Sequence, residues 1–224
     1  MKEKMKAILE HFVNSPVNLS RIVMLAWLGS CFLLITFAYV AWSDGQILQE
    51  NQKFQTTQLE DRSRTLDLSI EFGFDPLIVQ VTRQLAKDVF ATRYCDCPTW
   101  RFVKTPDELA YVILSVIQAE SGGNFRAYNA SGASGLTQML LSTARQYDKE
   151  LQPAELFTIP KHLRLAMTHF VELLEKYQGN VALTVISWNR GSGAVDRLVS
   201  MGQSPDNNYA YTVFTQAAIR NATR

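Results

Sequence analysis

The most constraining feature of the sequence is an uncharged apolar segment near its N-terminus. From Ile22 to Ser43 the chain reads IVMLAWLGSCFLLITFAYVAWS, with no charged residue. At about 1.5 Å of rise per residue, a helix of this length covers a hydrocarbon core of roughly 30 Å. A helix buried in a globular core usually keeps a polar face, which this segment lacks. We therefore predict a transmembrane helix here, with rings suited to the membrane interfaces at Trp27, Tyr39 and Trp42.

Two kinds of N-terminal processing would give a different mature protein, and the sequence favours neither. A cleaved signal peptide needs a shorter apolar run and small residues before the cut, where this chain has Tyr39 and Trp42. The segment Leu28-Gly29-Ser30-Cys31 loosely resembles a lipoprotein cleavage box, but eleven apolar or small residues follow Cys31. We therefore expect a retained anchor in which Cys31 is an ordinary small apolar residue.

The charges that flank the apolar segment predict its orientation. Four basic residues precede the segment, at Lys2, Lys4, Lys6 and Arg21. In about the next twenty residues after it there are only two, Lys53 and Arg62. The positive-inside rule then leaves residues 1–21 in the cytoplasm and exports everything after Ser43. Over the whole chain 22 basic residues balance 21 acidic ones, so the net charge of +1 does not favour a nucleic-acid partner.

Residues 44–74 are predicted to connect the anchor to a folded domain. The stretch 44–64 is polar, rich in Gln and only thinly apolar, which is typical of a stalk. Four apolar residues then alternate with polar ones, at Leu66, Leu68, Ile70 and Phe72. This period of two predicts a short strand, with an extended linker packed on the domain as the alternative. We place the domain itself at residues 75–224.

The domain is predicted to be mainly α-helical. Asp75 and Pro76 suit the cap and first position of a helix, which should run to about Tyr94. Thr105-Pro106-Asp107-Glu108 forms a capping box for a second helix. That helix is almost wholly apolar from Leu109 to Ile117 and should therefore cross the centre of the domain. Further helical patterns cover about 160–178, 180–189, 192–201 and 205–220.

The cysteines and histidines of the exported part do not predict a metal site. A zinc site needs about four ligands, and Cys95 and Cys97 supply two. A disulfide within this pair, an intermolecular link and two free thiols all remain open in an oxidising compartment. His162 and His169 lie seven residues apart on one helical face and are better explained as packing or surface residues. We expect neither a metal nor a cofactor.

The chemistry is predicted at Glu120, which the apolar helix delivers to Gly122-Gly123. Burying a carboxylate costs several kcal/mol unless it is paired or protonated. Apolar walls raise the pKa of a carboxyl group, which makes it a competent acid near neutral pH. The alternative is that Glu120 lies on an exposed rim or in a structural ion pair, and its position alone does not decide between the two.

Two further blocks favour the catalytic interpretation. GASGLTQM, from Gly132 to Met139, holds glycines that permit a tight turn and a close backbone approach. SWNRGSGAV, from Ser187 to Val195, ends one helix and begins another at a glycine pair. Together with Glu120-Ser121, these blocks resemble the catalytic domain of the soluble lytic transglycosylases, which has a goose-type lysozyme-like fold. That family carries Glu-Ser, Gly-Ala-x-Gly-Leu-Met-Gln and Tyr-Asn-Ala-Gly, and the resemblance covers about residues 100–215.

The resemblance implies roles for the matching residues. Glu120 matches the family's single catalytic acid. The matches that shape the motif are Gly132, Ala133, Gly135, Leu136 and Gly191. The residues expected to contact substrate are Ser121, Gln138, Tyr128, Trp188, Asn189 and Tyr209. Aromatic faces stack on sugar rings, and the family often has a Tyr near position 209 or 211. Phe125 and Met139 are candidates for the groove floor.

The chain also departs from the family pattern. Thr137 replaces the usual Met, Leu141 stands where a Pro often precedes Thr143-Ala144, and His162 replaces a common Asn. Trp188 stands where the family has Tyr, and Arg190 where it has Ala. The family's Tyr hydroxyl helps to position the acid, whereas Trp offers only an N–H donor.

The resemblance implies a peptidoglycan lytic transglycosylase. Glu120 would protonate the oxygen between N-acetylmuramic acid and N-acetylglucosamine, and the substrate's acetamido group would stabilise the developing positive charge. Glu120 would then take the proton of the muramoyl 6-hydroxyl, closing an anhydro ring. We expect glycan strands as substrate, a bacterial inner-membrane location with the domain in the periplasm, and a secretion or conjugation apparatus as one candidate partner. The rival is a non-catalytic peptidoglycan-binding or scaffold protein, which Trp188 and Arg190 favour.

Overall fold

The computed structural model describes residues 19–93 and 103–222. Within those ranges only the backbone is described for residues 19–29, 31–33, 37, 44, 93 and 216–222. Contacts divide the chain into two compact units, Met1–Glu60 and Asp61–Arg224. The predicted cytoplasmic N-terminus and the Cys95 and Cys97 pair lie outside the described residues.

The first helix of the described residues, α1, spans Leu19–Phe72 and contains the predicted membrane segment. Among the residues that the structure describes, no helix has the length and apolar character that crossing a membrane requires. The side chains of more than half of the segment Ile22–Ser43 lie outside the described residues. The membrane span therefore stays a prediction. Beyond it, large apolar side chains of the first unit are exposed, among them Ile47 and Phe54.

The strand predicted around Leu66–Phe72 is wrong, because these residues form the last turns of α1. Leu68 and Phe72 are buried, whereas Leu66 and Ile70 are more than half exposed. Residues four apart lie on one face of a helix, so a pattern that alternates at 66, 68, 70 and 72 also fits a helix with one buried face. The second compact unit accordingly begins at Asp61, before the boundary predicted at residue 75.

The second unit is mainly α-helical, as predicted. After α1 its helices are α2 (Pro76–Arg93), α3 (Pro106–Ser121), α4 (Leu141–Ala144), α5 (Ile159–Lys176), α6 (Val181–Arg190), α7 (Ser192–Ser200) and α8 (Tyr209–Ala222), with a 3₁₀ turn at Pro153–Phe157. Two short antiparallel strands, β1 (Ala133–Ser134) and β2 (Met139–Leu140), form a hairpin between α3 and α4. The two predicted helix starts are confirmed. Asp75 Oδ1 accepts the Leu77 N–H at 2.8 Å, and Thr105 and Glu108 form both bonds of the capping box.

The core of this unit surrounds α3, as its apolar sequence predicted. Leu109, Leu114 and Ile117 are fully buried, and α3 packs against α2 and α8. A smaller cluster, which includes Met139 and Leu156, lies under the hairpin. The two clusters fix α3 and the hairpin in place, because close-packed interiors leave little freedom to shift.

Arg83 of α2 ties the end of α1 to the start of α3. Its guanidinium is almost fully buried and donates to the Asp61 carbonyl and to Thr65 Oγ1, each at 2.8 Å. It also pairs with the carboxylates of Asp61 at 2.9 Å and Asp107 at 3.2 Å. On the far side, the Tyr111 hydroxyl donates to Glu71 at 2.8 Å. The last turns of α1 are therefore an integral layer of the second unit.

Candidate active site

Glu120 occupies the last turn of α3, at the end of the buried apolar helix. The helix ends at Ser121, and Gly122 follows in the left-handed conformation at φ 60°. Gly123, at φ 85°, faces the Phe74 ring so closely that a Cβ there would lie 2.6 Å from it. Glycine is needed at this turn on both counts. The turn after Glu120 therefore packs against Phe74, which precedes α2.

The carboxyl group of Glu120 is partly buried and hydrogen-bonded. Burial raises the pKa of Glu120 above its ordinary value, and a hydrogen bond that the Tyr209 hydroxyl donates to Oε1 acts in the opposite direction. Burial beside that carboxyl also raises the pKa of Tyr209, so its proton stays on the phenol. Glu120 is therefore neither an exposed rim residue nor a member of a structural ion pair. It has the environment expected of a proton donor.

The second motif block forms the β1–β2 hairpin beside Glu120. Gly132 and Gly135 have φ values of 86° and 74°, as the tight turn requires. A Cβ at Gly135 would lie 2.5 Å from the Leu156 carbonyl oxygen, so the close backbone approach predicted there is real. Ala133 and Leu136 are buried. Gln138 adopts φ 49°, and its Nε2 donates to the Gly135 carbonyl at 3.0 Å.

Ser121 connects the acid to this hairpin and does not face the groove. Its hydroxyl donates to the Leu136 carbonyl at 2.7 Å. The predicted substrate contact of Ser121 stays a prediction, and the structure shows that its hydroxyl proton is engaged by the backbone. The Glu-Ser pair thus supplies one partly buried carboxyl group and one hydrogen bond that joins the end of α3 to the hairpin.

Two departures from the family pattern contact each other. The Thr137 N–H donates to His162 Nε2 at 3.0 Å, and Thr137 Oγ1 lies 2.9 Å from the same atom. Both side chains are almost fully buried. Burial lowers the pKa of His162 to about 4, so the ring is neutral and can accept this bond near neutral pH. His162 is thus a packing residue, as predicted.

The third motif block closes the site from α6. Trp188 packs against Phe170 and donates from Nε1 to the Thr137 carbonyl at 3.2 Å, so it braces the hairpin and does not reach the acid. Tyr209, from α8, supplies the hydroxyl on Glu120 instead. Asn189 accepts a hydrogen bond from Asn207 Nδ2 at 2.9 Å. Gly191 ends α6 at φ 82°.

A groove of about 520 Å³ runs beside Glu120. Its lining includes Glu120, Asn129, Ser131, Ala133, Gln138, Met139, Leu140, Thr143, Gln146, His169, Ser187, Trp188, Asn189, Arg190, Gly191 and Ser192. Four of the predicted substrate contacts or floor residues are among them: Gln138, Met139, Trp188 and Asn189. Tyr128 is 68% exposed next to the hairpin and is absent from this lining, as are Ser121, Tyr209 and Phe125. Glu120 is the one carboxylate that the described residues bring into the groove wall.

Residues 104–210 match the family model of the transglycosylase SLT domain. The chain therefore carries an SLT domain. Members of this family are peptidoglycan lytic transglycosylases, which are lyases acting on polysaccharide. The match confirms the family predicted from the three motif blocks and falls inside the predicted core of residues 100–215. Among the side chains that the structure describes, no three His, Cys, Asp or Glu residues gather as a metal site would require.

The SLT domain also has groove residues that the sequence analysis did not select. His169 lines the groove next to Trp188, with ring centroids 5.2 Å apart. Its Nδ1 lies 2.8 Å from the Tyr147 hydroxyl, which donates to Glu172 Oε2 at 2.6 Å. Burial lowers the pKa of His169, so a neutral ring faces the groove near neutral pH. The regular spacing from His162 was the available signal, but spacing alone cannot tell which of two histidines lines a groove.

Proposed function

We propose that the protein is a membrane-anchored lytic transglycosylase in which Glu120 is the single general acid and base. The observation that carries the proposal is the partly buried Glu120 carboxyl, which faces a groove and has its pKa raised by burial. A protonated carboxyl can give its proton to the glycosidic oxygen between N-acetylmuramic acid and N-acetylglucosamine. The bond from the anomeric carbon to that oxygen then breaks, and the N-acetylglucosamine side leaves as an alcohol.

The second half of the reaction uses the same residue. The substrate's acetamido oxygen stabilises the positive charge at the anomeric carbon, which compensates for the lack of a second carboxylate in the described groove wall. The Glu120 carboxylate takes the proton of the muramoyl 6-hydroxyl, and that oxygen bonds to the anomeric carbon. The product is a 1,6-anhydromuramoyl end, and Glu120 is protonated again. The Tyr209 hydroxyl stabilises the carboxylate between the two steps.

The rival function, a non-catalytic binding protein, rests on Trp188 and Arg190. In the family a Tyr at the position of Trp188 helps to place the acid. Here Trp188 donates to the Thr137 carbonyl, and the hydroxyl on Glu120 comes from Tyr209. The loss of that Tyr is therefore compensated, which supports catalysis.

Anchoring in the bacterial inner membrane is the second part of the proposal. The uncharged segment Ile22–Ser43 and the basic residues before it support a single span with a cytoplasmic N-terminus. The SLT domain would then lie in the periplasm, where peptidoglycan is accessible. Local opening of the wall for a secretion or conjugation apparatus would suit such an anchored enzyme. Retention in the membrane fraction after high-salt washing tests the anchor, and release by salt alone would contradict it.

The activity is tested with the full-length protein in detergent and purified peptidoglycan, with products analysed by mass spectrometry. We expect anhydromuramic ends that disappear in Glu120→Gln. Glu150→Gln, which changes an exposed carboxylate outside the groove lining, is the matched control and should keep wild-type activity. Reducing ends would indicate a hydrolase of lysozyme type. Binding to peptidoglycan without any product, unchanged by Glu120→Gln, would establish the non-catalytic rival.

A further inference from the structure

The position of the Glu120 carboxyl depends on Tyr209, which is the first residue of α8. The segment before it, residues 203–208, forms neither helix nor strand, and most of it is exposed. Asn208 has φ 64°, a left-handed conformation that is sparsely populated for residues other than glycine. An irregular, exposed segment does not fix a phenol ring by itself. Other contacts must set where α8 begins.

Those contacts come from the end of α6. Asn207 donates from Nδ2 to Asn189 Oδ1 at 2.9 Å, and its own Oδ1 accepts the Tyr209 N–H at 3.3 Å. One residue further along α6, Arg190 Nη1 donates to the Pro205 carbonyl at 3.1 Å. The Asn207 side chain therefore bridges α6 and the first residue of α8. The two ends of the bridge are Asn189 in the groove wall and the backbone of Tyr209.

We propose that Asn189, Asn207 and Arg190 are positioning residues that hold Tyr209 against Glu120. The proposal rests on the proposed function, since it concerns the acid of that reaction. The hydrogen bonds form a continuous path from Asn189 to Asn207, to Tyr209 and to Glu120. The main role of Asn189 is then to fix the start of α8, whereas the family resemblance predicts a substrate contact for it. Arg190, where the family has Ala, adds a second tie to the same segment.

The path predicts a change in proton affinity at Glu120. The Tyr209 bond lowers the pKa of Glu120, against the larger upward effect of burial. Loosening Tyr209 weakens this bond, so the pKa of Glu120 rises. Tyr209 of α8 is the titratable group bonded to Glu120, and the other titratable or charged side chains in the groove lining are His169 of α5 and Arg190 of α6. Asn207 itself carries no charge, so its replacement tests the path without altering the field of the groove.

The experiment compares wild type, Asn207→Ala, Asn189→Ala, Tyr209→Phe and their pairwise combinations as full-length proteins in detergent. For Asn207→Ala we expect kcat to fall about tenfold, the effect of one hydrogen bond of ordinary strength, with little change in KM. The descending limb of the kcat–pH profile should move to higher pH, in the same direction as in Tyr209→Phe. Because the residues act through one path, the increase in activation free energy in each double variant should be smaller than the sum of the increases in the two single variants. Gln203→Ala, in the same segment, is the matched control and should leave both kcat and the profile unchanged.

A direct titration keeps the test independent of turnover. NMR of ¹³C-labelled glutamate, with the Glu120 signal assigned from its absence in Glu120→Gln, measures the pKa of this group in each variant. An upward shift in Asn207→Ala supports the path. An unchanged Glu120 pKa and an unchanged pH profile in Asn207→Ala would overturn the positioning proposal. An effect of Asn189→Ala on KM alone would also overturn it, because Asn189 would then be a substrate contact. Absence of product from the wild type would refute the proposed function, while the titration would still decide the positioning.

Discussion

The buried ring of His162 makes the stability of this protein sensitive to acid. Its Nε2 accepts a hydrogen bond from the Thr137 N–H at 3.0 Å, and only the unprotonated ring can accept there. Burial lowers the pKa of His162 to about 4, with the Leu156 carbonyl acting in the opposite direction. An unfolded chain leaves the ring in water with a pKa of about 6.5. Below that pH the unfolded state binds a proton that the folded state does not.

The size of the effect follows from the two pKa values. The contribution of His162 to the free energy of unfolding is fully present above about pH 6.5. It is lost as the pH drops toward about 4, because protons bind preferentially to the unfolded chain. Between these limits the free energy of unfolding should fall by about 3 kcal/mol, of which about 2 kcal/mol is lost by pH 5. This is a large share of the 5–15 kcal/mol that is typical of a folded domain.

Urea unfolding of the full-length protein in detergent at pH 7.5 and pH 5, followed by tryptophan fluorescence, measures this loss. The matched variant is His162→Asn, because an Asn side chain can accept the Thr137 N–H but does not titrate. Other carboxyl and imidazole groups titrate in both proteins, so their contributions cancel in the comparison. We expect the wild type to lose about 2 kcal/mol more than the variant. Equal losses in the two proteins would refute the assignment of acid sensitivity to His162.

Two further predictions concern the framework of the site. Gly135→Ala should lower the free energy of unfolding by several kcal/mol, because the added Cβ would lie 2.5 Å from the Leu156 carbonyl oxygen and the residue has φ 74°. Gly132→Ala has open space around its Cβ and should lower the free energy of unfolding by only about 1 kcal/mol. Similar melting temperatures for the two variants would contradict the close approach at Gly135. Arg83→Met should lower the free energy of unfolding by on the order of 2 kcal/mol, whereas Lys87→Met, which breaks a half-exposed ion pair, should change it by less than about 1 kcal/mol. Denaturant unfolding measures both, and an Arg83→Met loss no larger than that of Lys87→Met would show that the buried guanidinium does not tie α1 to α2 and α3.

The features that the sequence predicts well depend on neighbouring residues. The capping box at Thr105, the glycines that end the helix after Glu120 and the tight turn at Gly132 and Gly135 each follow from the local conformations that those residue types prefer. The position of the acid at the end of a buried helix follows from apolar spacing alone. These signals predict a mainly α-helical domain with Glu120 at the end of its buried helix, whereas the family follows from the resemblance of the three motif blocks.

The features that the sequence does not predict depend on contacts between distant residues. Tyr209 and Glu120 are 89 residues apart, and a tyrosine that stacks on a sugar cannot be distinguished in sequence from one that holds an acid. Asn207 gives no signal of its own, because asparagine is common in any irregular segment. The end of α1 resembles a strand in sequence because its apolar residues recur at every second position, as they do on one face of a strand. In the helix only Leu68 and Phe72, which are four residues apart, share the buried face.

The contact of Phe74 with Gly123 determines where such an enzyme can be cut or recombined. The family match begins at residue 104, but the ring that supports the turn behind the acid, and the guanidinium that ties the start of α3, both come from upstream. A chimera joined at residue 104 would contain the SLT motif but would lack the upstream residues that pack behind it. The apolar side of α3 would then be exposed to solvent. A junction at Asp61 would transfer the whole second compact unit, so chimeras between proteins with an SLT domain should be joined at or before that residue.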